Sequence, residues 1–454
     1  MKRTLIKNGL VIDPANQVQA HLNLLIEGGK ISAVTTEIPD ADLVIDASGN
    51  IISPGFIDIH VHEDPITADG TIYNDETKAL FPCMARMGVT TVIGGQCGGN
   101  KYHPADYLDI VDRDGAAVNV AMLAGHGFFR ERAGHMDIYT HVSDEELVTM
   151  TAFLQEAVDR GCLGVSYGIR YVPGIDEREL KATAEVCKKD QKLIAAHIRS
   201  DAGEVFSAAV EFLEIARSLQ LPVELSHIGS MAGFGQMTEF LRLVDEYKMK
   251  GVRVTCDCYP YYAFSTSIGS TTYDEGWLER YHCDYDVVEI CEGTYKGQRC
   301  TKEIFDEVRK THPKYKTICY VMKGPDVDLA FSHPNVMLGS DGTLNSGQGH
   351  PRAAGTFPRL FSEFVRPGKL SLYEAVRMTT AMPAEKAGLK TKGRLNVGTD
   401  ADLVIFDPKT IQDHATFTEP LLPPSRIEYV FIGGEIAVNN GTLLHGDLGR
   451  SVRL

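Results

Sequence analysis

The sequence predicts an α/β protein: a closed (β/α)8 barrel, with a small β-sandwich domain built from both chain ends and a helical cap inserted late in the barrel. Three observations predict it. Brief apolar runs recur about eight times in the middle of the chain, separated by stretches whose apolar residues repeat at three and four. Strand-like runs with glycine turns occupy both ends. One long, charged segment breaks the rhythm. The length of 454 residues suits a barrel of roughly 250 residues plus a smaller domain.

Residues 1–53 supply TLIKNGLVID, HLNLLIEGGKISAVT and LVIDASGNIIS, and residues 389–454 supply ADLVIFDP and IEYVFIGGEIAVNNGTLLHG, so the two ends pair into one β domain. Residues 54–388 form the barrel, with strands read from FIDIHVH, TTVIGGQC, VNVAMLAGHG, LGVSYGI, KLIAAHIR, LPVELSHIG, VRVTCDCYPY and NVMLGSDG. Helices read from SDEELVTMTAFLQEAVDRG, ERELKATAEVCKKD and EVFSAAVEFLEIARSLQ separate several of them. The cap spans about 273–332 and holds Cys283, Cys291 and Cys300; without a CxxC pair these thiols argue against a metal site of their own.

Composition narrows the function. A net charge of -16 and a pI near 5.4 exclude the clustered basic surface of a nucleic-acid binder, which leaves small molecules as the expected partners and a homo-oligomer open. No apolar run reaches the roughly 18 residues that cross a membrane, and the N-terminal stretch lacks a signal h-region, so the cytoplasm is the expected location. The ten cysteines are scattered and should be reduced.

The chemistry concentrates at the ends of the apolar runs, where a barrel carries its catalytic groups. His60 and His62 alternate with Ile59 and Val61, so on a strand both imidazoles face one side. His197 ends KLIAAHIR, His227 ends LPVELSH and Asp341 ends NVMLGSD. Each alone is an ordinary hydrogen-bonded residue; together they form the donor set of Zn2+ or a similar ion. Cys97 lies in GGQCGGN, where a lone cysteine is most often a small buried hydrophobe. No Lys-Ser/Thr follows those glycines, so no phosphate loop or nucleotide cofactor is indicated.

PGFIDIHVHED, GGQCG, NVAMLAGHG, AAHIRSDAGE, ELSHIG, CYPYYAFSTS, VMLGSDG, GHPRAAGTFPR and GRLNVGTDADLVIFDP together resemble the amidohydrolase superfamily, and within it the N-acyl-D-amino-acid deacylases, or D-aminoacylases. The likeness runs along nearly the whole chain and is weakest in the cap. It implies that Cys97 replaces the carboxylated lysine of other dinuclear members. A tighter metal, Zn2+ by the soft thiolate, would then take Cys97, His197 and His227, and a weaker second divalent ion would take His60, His62, Cys97 and Asp341. Asp341 would be the general base. The product's carboxylate would be held by Arg352, Tyr171 and a tyrosine of CYPYY, Tyr259 or Tyr261. Arg199 either shares the strand face of His197 or orients the loop. His126 and His350 fall in family stretches and would support the site from behind, whereas His103, His135, His141 and His445 have no such context. Family members carry SHxK after the sixth strand; here Gly229 stands at the lysine position, which puts the usual substrate pocket in question.

The expected activity is metal-dependent hydrolysis of a linear amide, an N-acyl amino acid of D configuration, to a carboxylate and a free amino acid. A cyclic-amide hydrolase of the dihydroorotase or hydantoinase kind is the alternative, although LGVSYGIRYVPG offers it no bridging lysine. A metal-binding protein without activity is a third reading, which the presence of Asp341 opposes.

Overall fold

The computed structural model describes residues 2–454, which divide into two compact units. The first comprises Met1–Gly94, Asp106–Ala121 and Pro351–Val452. Its two sheets join the chain ends. A four-stranded sheet runs in the order Lys30–Thr35, Asn23–Glu27, Arg3–Lys7, Leu43–Asp46. A seven-stranded sheet places Leu403–Phe406 antiparallel to Ile51–Pro54, with Leu403 opposite Pro54 and Ile405 opposite Ile52. Ile6, Leu24, Ile26 and Ile45 of the smaller sheet share one buried cluster with Val11, Ile52, Leu403, Ile405 and Phe431 of the larger. Two sheets closing on one apolar layer make the expected sandwich. The same unit holds the first barrel strand, Phe56–Asp58, parallel to the second, Val89–Gly94, and all but the last residue of Asn119–Met122, which starts the third.

The second unit comprises Gly95–Ala105, Met122–His350 and Arg453–Leu454. Here the end of the third strand, Ala124–Gly125, is followed by Gly164–Gly168, Leu193–His197, Val223–Leu225, Val254–Cys258 and Val336–Leu338, each parallel to the next in chain order. That order is the one a (β/α)8 barrel requires. The fourth and fifth strands are buried at every position, as strands covered on both faces must be, which is why they read as continuous apolar runs. The intervening helices follow their caps. Ser143 Oγ accepts from Glu146 N–H and the Glu146 carboxylate accepts from Ser143 N–H, starting Asp144–Asp159, whose Leu147, Met150, Leu154 and Val158 face inward. Such a cap contributes about 1 kcal/mol.

The insertion after the seventh strand carries helices Trp277–Tyr281 and Lys302–Thr311, as the expected cap does. It also carries a three-stranded antiparallel sheet that the sequence reading lacks: Lys316–Cys319 lies between Phe264–Ser267 and Val288–Ile290. Tyr273, Trp277 and Phe305 pack ring against ring, joining those two helices. Burial raises the thiols of Cys283 and Cys300 to about 11 and that of Cys291 to about 12, so all three stay protonated. No helix among the described residues is long and apolar enough to cross a membrane.

Candidate metal centre

Two glycines of GGQCGGN, Gly95 and Gly98, press against backbone of neighbouring strands. A Cβ on Gly95 would lie 2.2 Å from the Leu123 carbonyl oxygen, and one on Gly98 would lie 2.5 Å from the Gly168 nitrogen. Both have φ above +70°, so the loop is pressed onto the ends of the third and fourth strands in a conformation that only glycine enters without cost. Ser166 of the fourth strand clamps it, accepting from Gly98 N–H at 3.1 Å and donating to the Gly95 carbonyl. Asn100 ties the far side to the third strand, accepting from Gly125 N–H and donating to Leu123 O. Neither residue shows in the sequence as part of the site, because serine and asparagine at strand ends carry no periodic signal.

The loop carries the Cys97 thiol to His197 and His227. One donor atom from each of the three lies within 4.8 Å of the others. Cys97 Sγ is 3.5 Å from His227 Nε2, and the two imidazole rings stand 4.4 Å apart, edge to face. His197 ends the fifth strand in register with Gly168 of the fourth, whereas His227 follows the sixth strand with φ +37°. Its N–H donates to Asp257 Oδ1 at 2.9 Å, which holds that turn. Ser230 Oγ donates to His227 O and lies 3.0 Å from Nδ1, so Nδ1 carries the proton and Nε2 faces the thiol as a lone pair. Asp341, three residues past the end of the eighth strand at Leu338, offers an oxygen within 4.8 Å of Cys97 Sγ. Cys97, His227 and Asp341 all have positive φ, at +54°, +37° and +50°. Left-handed backbone costs about 1 kcal/mol or more per non-glycine residue and persists where the surroundings over-determine it, as they do at these three chemically matched residues.

His60 and His62 belong to the first unit. They stand just past the first barrel strand rather than on it, since that strand ends at Asp58, and their rings are 6.0 Å apart. His60 is fully buried, and its N–H donates to Asp58 Oδ1.

A cavity beside the second unit's centre is lined by His197, His227, Asp341, Tyr171 and Tyr259, and from the insertion by Phe264, Thr266 and Tyr281. The Tyr171 ring lies 4.6 Å from that of His197. Tyr261 instead packs edge-on against His350, whose Nε2 is 3.1 Å from Ala263 O. Arg199 takes the loop-orienting role: its guanidinium grips both oxygens of Glu211 and donates to Pro173 O and Ile175 O. Arg352 is buried at the first position of helix Arg352–Leu360 in the first unit. His126 is buried with Nε2 2.9 Å from Glu179 Oε1, which also pairs with Arg130. Asp201, Tyr281 and Ser230 are cavity residues the sequence reading missed; Tyr281 lies in the insertion, where the resemblance is weakest.

The donors fit a divalent ion. Burial, with His227 beside it, pushes the His197 imidazole below its ordinary pKa despite the opposing pull of Cys97, which keeps it in the neutral form that coordinates. His197 Nδ1 is buried without a hydrogen-bond partner. A soft sulfur, two imidazoles and a nearby carboxylate form the mixed set that Zn2+ and its neighbours take.

Comparison with known proteins agrees with this geometry. Models of the amidohydrolase family match residues 51–267 and 300–438. The D-aminoacylase of Alcaligenes xylosoxydans xylosoxydans is 32% identical, over 95% of this chain and 93% of its own. The chain belongs to the D-aminoacylase family of amidohydrolases. An N-acyl-D-glutamate deacylase of the same organism is 30% identical over 95% of this chain and 92% of its own. The crystal structure of N-acyl-D-glutamate deacylase from Bordetella bronchiseptica, complexed with zinc and a phosphonate mimic of the tetrahedral intermediate, superposes with a TM-score of 0.88 at 28% identity over the whole of both chains. The barrel with its sandwich is therefore the fold of this amidohydrolase, which hydrolyses a carbon–nitrogen bond other than a peptide bond in a small molecule, with a divalent metal.

Proposed function

We propose that this amidohydrolase cleaves N-acyl amino acids of D configuration, and that its resident metal is zinc. The observation that carries the reading is the convergence of Cys97, His197 and His227 within 4.8 Å, beside a cavity that Asp341 lines. The tight ion is assigned to those three residues. His60, His62, Cys97 and Asp341 are assigned to a weaker second ion, supported by the pairing of both histidines just past the first barrel strand. The fourth strand, Gly164–Gly168, carries no lysine, which favours the thiolate as the bridging group over the carboxylated lysine of cyclic-amide hydrolases. Residues 1–53 and 389–454 are assigned to the sandwich and 54–388 to the barrel, and the cytoplasm to the protein's location.

Held by Cys97, His197 and His227, a divalent ion would supply a water of lowered pKa and polarise the amide carbonyl. Asp341 removes the proton from the attacking water as its oxygen bonds to the amide carbon, then delivers that proton to the departing nitrogen as the carbon–nitrogen bond breaks. The insertion supplies part of the cavity wall through Phe264, Thr266 and Tyr281, beside the space where the oxyanion would form and where fixed donors act on it. Tyr171 and Tyr259 line that space and are assigned to the substrate, together with Arg352, whose guanidinium fork matches a carboxylate. Tyr261 is assigned to positioning His350.

The test is a hydrolysis screen of paired D- and L-N-acyl amino acids with hydantoin and dihydroorotate, followed by metal analysis of the same sample. Turnover confined to the D-acyl compounds with bound zinc is the expected result. Turnover of the cyclic amides alone would replace the proposal with the cyclic-amide reading.

A further inference from the structure

The wall of the cavity narrows the substrate class. Asp201 lines it and is almost fully buried. Tyr281 donates to Asp201 Oδ2 at 2.6 Å, and Arg280 Nε lies 3.0 Å from Oδ1. Arg280 also donates to Thr272 O and lies over the Tyr281 ring, 4.7 Å from its centroid. The guanidinium behind this wall is thus neutralised by a carboxylate that itself faces the cavity, and no lysine or arginine is among the lining residues.

The chain beside His227 carries no cation either. Gly229 follows His227 by two residues, and a Cβ there would lie 3.0 Å from Cys258 Sγ and 3.2 Å from Met322 Cε. Both neighbours are buried, and burial pushes the Cys258 thiol well above its ordinary pKa, so this side is apolar and uncharged. Ser230 and Met231, the next two residues, line the cavity itself. An acidic substrate side chain against this wall would give up part of its water, find no lysine or arginine among the lining residues and meet the Asp201 carboxylate. A neutral side chain loses nothing comparable.

Resting on the reading that the site cleaves N-acyl amino acids, we infer that it selects those with an uncharged side chain and rejects the acidic ones. Selection is by the missing counter-charge on this wall, since Asp201 already occupies Arg280. Glutamine and glutamate are nearly isosteric and share the same α-carboxylate, so they isolate the side-chain charge.

The experiment compares kcat/KM of the zinc-loaded enzyme for N-acetyl-D-glutamine and N-acetyl-D-glutamate, with N-acetyl-D-methionine as reference. Glutamine should exceed glutamate by about 100-fold or more, the scale of discrimination that an unpaired buried group imposes. Equal rates, or a preference for glutamate, would overturn the inference while leaving deacylation intact. Failure of all three substrates would overturn the deacylase reading and this inference with it. Asp201→Asn keeps the shape but uncovers Arg280, so the ratio should shrink about tenfold; an unchanged ratio would remove Asp201 as its source.

Discussion

Cys97 Sγ lies 3.5 Å from His227 Nε2, close enough that one ion can take both, with His197 completing the set. Losing the thiolate removes the softest and only formally charged donor of that trio. Cys97→Ala should therefore lose most bound zinc in metal analysis of purified protein, while folding is retained by circular dichroism. Full metal content in the variant would remove Cys97 from the site.

Ser230 Oγ lies 3.0 Å from His227 Nδ1 and so turns Nε2 toward Cys97, where an ion would sit. Removing such a supporting group typically costs 10- to 100-fold in metal affinity. Ser230→Ala should show that loss in a competition titration against a chelator, with little change in melting temperature once metal is saturating. An unchanged affinity would mean that the ring is held by packing alone.

Gly98 tests the loop. Alanine there would enter the left-handed region at φ +73° and set its Cβ 2.5 Å from the Gly168 nitrogen, a backbone atom that cannot turn aside. The two effects together should cost about 3 kcal/mol in denaturant unfolding. Metal content should fall with it, because the same loop carries Cys97.

What the sequence shows and what it hides follow from this geometry. A parallel barrel strand is buried on both faces, so all eight read as short apolar runs, and chemistry gathers where those runs end. His197 and Asp341 were legible for that reason. The insertion's sheet was not, because it pairs Phe264 with Cys319, 55 residues apart, and no local pattern records a partner at that distance. Nor was the link from Asp201 to Tyr281, which joins the loop after the fifth strand to the insertion. The glycines of GGQCGGN were legible as a tight loop; that Ser166 and Asn100 clamp it depends on contacts across strands.

His197 sets a pH dependence in the metal-free protein. Its folded pKa is depressed by burial, so an unfolded histidine, near 6.5, binds a proton that the folded one resists. Stability is therefore full above that range and is lost as pH falls from about 6.5 toward the lower folded value. Thermal melts of chelator-treated protein should show this decline between pH 7.5 and 5.5, and His197→Asn should flatten it. An equal slope in the variant would place the titrating group elsewhere.

The most direct measurement is the turnover of Asp341→Asn on N-acetyl-D-methionine at measured zinc content. Asparagine keeps the shape of the side chain but cannot take the proton from water. The tight zinc should remain on Cys97, His197 and His227 while kcat falls by about 100- to 10,000-fold. Near-normal turnover with zinc retained would contradict the assignment of proton transfer to Asp341, and with it the account of how this site cleaves its amide.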